Sequence, residues 1–279
     1  MSKQVIGVNT LFLIPKSVGG TEYLTRSFIS ELERIDQKNH YVIFCNQENY
    51  QTFDFKNSNF HKVLIPVKAQ NRAFRILYEQ FVLPLVAKQY HCTLLHSFGY
   101  FGPIFKNGYK HIITVHDANW RDHPEDSNLL SRLILKFLVE SNLKTADFII
   151  TDSEFAKSRL LKHFPALSNK IKVIWPAVEE KFLSLLKKPQ KPIKKQPYVL
   201  CVSAFYPHKR IAYLVDLWRE LSLPTNLILV GQNGREANTV QQTIQNLDSV
   251  EYIPQVSLEE LTNLYQHAQS FILPSVYEG

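Results

Sequence analysis

Four short segments carry residue types suited to an anionic or polyhydroxylated ligand. PKSVGGTE at 15–22 sets Gly19 and Gly20 just before a helix-like stretch. Residues without side chains let a backbone approach a ligand closely, and a helix N-terminus behind them favours an anion. TVHDANW at 114–120 ends a β-rich run with His116 and Asp117. An imidazole there can donate to a hydroxyl or titrate near neutrality. FYPHKR at 205–210 adds Lys209 and Arg210, a point charge and a planar fork suited to a diphosphate. Glu278 follows the last strand-like run, where a carboxylate can bind sugar hydroxyls.

Each segment also has a plainer reading. Paired glycines make turns, and Asp117 can cap a turn while His116 sits satisfied in a core. Lys209 and Arg210 can be solvated charges, and Glu278 can cap a following helix. Placement joins them, because all four follow strand-like runs, at the edge where parallel α/β sheets bind ligands. The glycines do not make a GxGxxG fingerprint, which argues against a dinucleotide enzyme. Cys45, Cys92 and Cys201 are far apart and form no CxxC or His/Cys cluster, so neither a zinc site nor a disulfide framework is expected.

The elements that must position these groups alternate. Strand-like runs at 4–9, 41–45, 62–65, 93–97, 111–116 and 148–151 are separated by helical periodicity. Leu24, Phe28, Leu32 and Ile35 predict one buried helix face, and further helices are predicted over 72–88 and 127–144. KKPQKPIKKQP at 187–197 has five lysines, three prolines and no apolar period, and reads as a linker or a basic membrane-facing patch. Beyond it, strands at 198–203, 226–231, 250–253 and 270–275 alternate with helices at 211–221 and about 235–246. Ser257 and Glu260 form a capping box that opens a last helix, with Leu261, Leu264, Tyr265 and Ala268 on one face. The expected fold class is α/β, with two Rossmann-like domains facing across a cleft. The expected boundaries are 1–180, a basic linker over 181–197, and a partial second domain over 198–279.

A formal charge of +7 suits nucleotides or anionic lipid surfaces. Nucleic acid gains only this charge, since no recognition motif accompanies it. The N-terminal sequence lacks a secretory layout and no apolar run reaches membrane-spanning length. A cytoplasmic chain is expected, with contact at the inner face of the cell membrane.

In order, GGTE, TVHD, TDSEFAKSRL, VIWPAV, YVLCVSAFYPHKR, LILVGQNG and VSLEELTNLYQHAQSFILPSVYEG resemble the retaining glycosyltransferases of family 4, which have the GT-B fold. The resemblance covers essentially the whole chain, and its last stretch looks like the approach to the E-x7-E signature, with Glu278 as the first glutamate. It implies that Gly19 and Gly20 lie near donor phosphates and acceptor, that His116 contacts the transferred sugar, that Lys209 holds the diphosphate, and that Glu278 touches the sugar ring. Arg210 is expected beside Lys209, since Ala204 stands where the family often has an arginine. No cofactor or divalent metal is implied beyond the nucleotide-sugar co-substrate.

The implied reaction moves a mannose- or glucose-type sugar from a nucleotide-diphosphate sugar to a hydroxyl of a glycan or lipid-linked saccharide, in surface-glycan biosynthesis. A front-face route without a protein nucleophile fits the retained configuration. The second glutamate lies beyond Gly279, so the second domain is expected to be incomplete and the chain impaired. The alternative is a truncated, non-catalytic nucleotide-binding or partner-docking pseudoenzyme.

Overall fold

The computed structural model describes residues 3–123, 129–231, 234–245 and 247–279. The predicted helix ends at 127–128 and 246, and positions 232–233 of LILVGQNG, lie outside the described residues. The chain divides into two compact units, residues 1–176 with Gly279, and 177–278.

The first unit runs β1 (Val5–Asn9), α1 (Gly20–Ile35), β2 (His40–Cys45), β3 (Phe60–Leu64), α2 (Arg72–Leu77), α3 (Leu83–Gln89), β4 (Leu94–Ser97), β5 (Lys110–Thr114), α4 (Asn119–Asp122), α5 (Leu129–Thr145), β6 (Phe148–Thr151), α6 (Glu154–His163) and β7 (Ile171–Val173). Its seven strands lie in the order β3-β2-β1-β4-β5-β6-β7, all parallel. The strand order reverses at β1 and β4, the switch point where such sheets leave a crevice.

Strand β2 reads as an almost unbroken apolar run because both faces of the sheet are covered. Tyr41, Ile43 and Cys45 pack with Ile29 of α1, while Val42 and Phe44 pack with Leu83 and Ala87 of α3. The buried side of α1 is Thr25 and Ile29, supported by Phe28 and Leu32. Ile35, predicted to join that face, is exposed at the last position of the helix and is not part of that core.

The single helix predicted over 72–88 is interrupted by a π-helical turn over Tyr78–Val82. Pro84 sits in the first turn of α3 and has no N–H to return to the preceding turn. The wider turn absorbs that missing donor and buries Glu79.

The second unit contains α7 (Glu180–Leu186), β8 (Tyr198–Val202), α8 (Ile211–Leu221), β9 (Asn226–Val230), α9 (Ala237–Ile244), β10 (Val250–Ile253), α10 (Leu258–His267) and β11 (Ser270–Phe271). Its parallel sheet has the order β10-β9-β8-β11, so its switch point lies between β8 and β11. One face packs Cys201, Leu227 and Leu229 against Ile211, Leu214, Val215 and Trp218 of α8. The other packs Tyr198, Leu200, Ile228 and Val230 against Leu264, with Leu261, Tyr265 and Ala268 beside it. The Ser257–Glu260 capping box opens α10, each residue satisfying the other's backbone N–H.

The last strand is shorter than the 270–275 expected from sequence. After Phe271 one further ladder bond, from Ile272 N to Leu200 O, precedes Pro274, which has no donor to offer. The lysine- and proline-rich stretch is fastened to α10. Asn263 donates to the Lys191 carbonyl at 2.8 Å and accepts from Ile193 N at 3.1 Å, and Gln266 donates to the Leu186 carbonyl at 2.6 Å. All three cysteines are free and buried, and burial pushes their thiols up, Cys45 to about 11 and Cys92 and Cys201 to about 12.

Candidate functional site

In the first unit the loop after β1 ends on Gly19, whose φ of 68° is left-handed and which caps α1. A side chain there would be strained, which accounts for glycine on conformational grounds. Gly20 differs, since a Cβ added to it meets nothing within 4 Å. The exposed turn of α1 is drawn back by Glu22, which accepts from Lys16 N at 2.8 Å and pairs with Arg26 at 2.8 Å.

His116 follows β5 and is buried. Its Nδ1 meets Asp152 at 2.6 Å and its Nε2 meets the Phe98 carbonyl at 2.9 Å. Both ring nitrogens are thus occupied by oxygen partners within the protein. A sugar hydroxyl would therefore have to replace one of those bonds or meet the ring edge. Tyr100 stands edge-on to the imidazole at 5.2 Å and donates to Asp117 at 2.8 Å. Asp117 also accepts from Asn119 N at 2.9 Å, the turn-capping role open to it in the sequence.

Asp152 and Tyr100 are the neighbours that sequence reading missed as site residues. Asp152 lies in TDSEFAKSRL, 36 residues from His116, and no spacing rule connects them. Tyr100 has a φ of 71°, rare for an aromatic residue.

In the second unit, Lys209 ends a short turn after β8 and Glu278 follows β11, the two strands that flank the switch point. Lys209 Nζ lies 2.6 Å from Glu278 Oε2, and Val276 N donates to the His208 carbonyl at 2.9 Å. Arg210 adopts a left-handed φ of 53° and caps α8. Its guanidinium makes no hydrogen bond or ion pair with the described residues. Two glycines of LILVGQNG explain how close the backbone is here. A Cβ on Gly231 would lie 2.1 Å from the Ser203 carbonyl, and one on Gly234 2.1 Å from that of Phe205. Only glycine lets the loops after β8 and β9 approach so closely.

Among the described residues no group of three or more His, Cys, Asp or Glu side chains could hold a metal ion.

The model of glycosyltransferase family 4 matches residues 18–182, and that of the group 1 glycosyl transferases matches 185–279. The chain belongs to glycosyltransferase family 4. O-antigen chain mannosyltransferase RfbU of Salmonella typhimurium is 29% identical over 191 residues, 67% of this family 4 chain and 50% of the relative. The chain thus spans about half the length of that curated relative. Sucrose-phosphate synthase of Thermosynechococcus elongatus has a TM-score of 0.70 at 17% identity, covering 99% of this chain and 76% of its own. Anabaena Alr3699/HepE, in complex with UDP and glucose, has a TM-score of 0.67 at 14% identity, covering 98% and 75%. At these identities the two structures show the fold, which is GT-B with parallel-sheet α/β units.

Proposed function

We propose that the chain binds a nucleotide-diphosphate sugar and serves to move its sugar, of mannose or glucose type, to a hydroxyl acceptor in surface-glycan synthesis. The observation that carries this reading is the Lys209–Glu278 pair at the switch point of the second sheet. It sets a cation suited to a diphosphate beside a carboxylate suited to sugar hydroxyls. The relative named as an O-antigen chain mannosyltransferase supports the acceptor class, and the Anabaena neighbour that holds UDP and glucose supports the donor class.

In this reading the bond from the anomeric carbon to the diphosphate breaks, and its electron pair stays on the departing phosphate. Lys209, Arg210 and backbone N–H groups offset that growing charge, the largest kind of term available to such a site. Lys209 exchanges Glu278 for the phosphate, freeing the carboxylate for the sugar. The acceptor oxygen bonds the anomeric carbon on the same face, which retains configuration, and its proton leaves with the phosphate. No divalent metal is used. His116 and the Gly19–Gly20 turn are assigned to the sugar and to the phosphate and acceptor side. The acceptor is a glycan or lipid-linked saccharide reached at the inner face of the cell membrane, and nucleic acid is not a partner.

Calorimetric titration with GDP-, UDP- and ADP-sugars tests the reading. One donor should bind, and Lys209→Ala should weaken it roughly 10- to 100-fold, the worth of a charged hydrogen bond. Donor binding without transfer would favour the non-catalytic, nucleotide-binding alternative. Failure to bind any of the three donor classes would overturn both.

A further inference from the structure

The ends of β4, β5 and β6 meet around His116, and their polar atoms can be followed one by one. In the pairing of β5 with β6, Thr114 stands beside Ile150. Two residues further along each strand, the same register brings His116 to Asp152, whose Oδ2 meets its Nδ1 at 2.6 Å. The other ring nitrogen is spent on the Phe98 carbonyl. Asp117, the second carboxylate of the cluster, has both oxygens taken, Oδ1 by Asn119 N and Oδ2 by the Tyr100 hydroxyl. Asp152 differs. Its Oδ1 makes no hydrogen bond with the described residues, and its side chain is 18% exposed against 10% for His116.

The backbone holds that carboxylate in place. Thr151, the last residue of β6, accepts from Ile174 N at 2.9 Å, and Ser153 caps α6 by accepting from Ala156 N at 2.9 Å. Asp152 therefore sits between a strand end and a helix start that are both tied down. His116 then fixes the side chain, since one oxygen bound to the imidazole sets the direction of the other. Arg159 and His163 of α6 are committed to Asp122, so neither occupies the open oxygen. The cluster thus presents one accepting atom, held in a fixed direction at the edge of a parallel sheet where ligands bind.

We propose that Asp152, through its Oδ1, accepts a hydrogen bond from a hydroxyl of the transferred sugar, and that His116 positions it. This rests on the glycosyl-transfer reading and deepens it, because the sugar contact assigned to His116 is made through the carboxylate that the imidazole holds. An accepting oxygen with one direction selects a sugar that carries a hydroxyl at the matching carbon over the deoxy sugar that lacks it. The bond is of the charge-assisted kind, stronger than one between neutral groups.

The test is calorimetric titration of the whole chain with GDP-mannose and UDP-glucose, each beside GDP or UDP alone, with the melting temperature as the check on folding. Asp152→Asn keeps an oxygen for His116 and turns the other position into a donor. It should weaken the sugar nucleotide that binds roughly 10- to 100-fold, the worth of one hydrogen bond to a charged group, and leave the bare nucleotide unchanged. Among monodeoxy forms of that donor, the one lacking the recognised hydroxyl should bind wild type and Asp152→Asn equally. His116→Gln should weaken the sugar nucleotide in wild type and add nothing in the Asp152→Asn background, because it acts through the carboxylate. Equal weakening of sugar nucleotide and bare nucleotide, or of neither, would overturn the proposal and leave the transfer reading in place. So would an undiminished effect of His116→Gln in the Asp152→Asn background, which would put the imidazole itself on the sugar. A chain that binds none of the four ligands would overturn the transfer reading and this proposal with it.

Discussion

His116 is held from both sides, by a carboxylate and by a backbone carbonyl, and that fixes its ring plane before any ligand arrives. Removing the carboxylate should show what this costs. Asp152→Ala leaves a buried N–H without an acceptor, so denaturant unfolding should report a loss of about 1–3 kcal/mol. Asp152→Asn, which keeps an accepting oxygen, should lose less. Equal stability of wild type and both variants would mean that the pair contributes nothing to holding His116. Lys209 and Glu278 are a different kind of pair, partly open to solvent and with each side chain able to take a ligand group in place of the other. Their contact is a small stability contribution and a ready exchange site.

At the scale of elements, two glycines that look alike in the sequence have opposite demands. Gly231→Ala would place a Cβ 2.1 Å from the Ser203 carbonyl, at a φ of 152°. A backbone must move to admit it, and thermal unfolding should show a loss on the order of 2–4 kcal/mol. Gly20→Ala opens α1 with nothing near the new methyl group and should gain up to about 1 kcal/mol from helix propensity. If Gly20→Ala is stable yet weakens donor or acceptor binding, the demand for glycine there comes from a ligand. The capping box of α10 makes a third case. Ser257→Ala removes the hydroxyl that accepts from Glu260 N and should cost about 1 kcal/mol, read as a lower melting temperature.

For the whole molecule, pH is the informative variable. His96 and His111 are buried, and burial pushes each down to about 3, helped at His96 by His111 and His116 and at His111 by Lys106. The unfolded chain takes up protons near pH 6.5 that the folded one refuses, so stability falls as pH drops through 6.5 towards 3. Each histidine should contribute a loss of ~2 kcal/mol by pH 5. Glu79 has the opposite sign. Burial raises its carboxyl above 4.5, partly countered by Arg75 and by the hydrogen bond from Asn9. Its contribution is present at low pH and is lost as pH rises through the folded value. Glu79→Gln should therefore remove the loss that accompanies rising pH and leave in place the fall below pH 6.5 that the histidines cause. Denaturation midpoints with the same pH dependence in wild type and Glu79→Gln would contradict this.

Much of this was legible in the chain itself. Alternating apolar runs such as YVIFC and NLILVG identified parallel strands because strands covered on both faces need apolar residues at every position. The capping box at Ser257 was read directly, since its two hydrogen bonds are local. β7 and α6 escaped the element reading, as IKV is short and α6 has little apolar periodicity. The break in the 72–88 helix was missed because Pro84 signals a local strain without saying which turn relieves it.

The sequence by itself determined the class of fold, the family, and the strand ends on which Gly19, His116, Lys209 and Glu278 fall, because each depends on local pattern and order along the chain. Only the tertiary structure decided who meets whom. Asp152 reaches His116 through the pairing of β5 with β6, and Glu278 reaches Lys209 because β11 lies beside β8. Sheet order sets those meetings, and sheet order is a property of long-range packing that no window of residues contains.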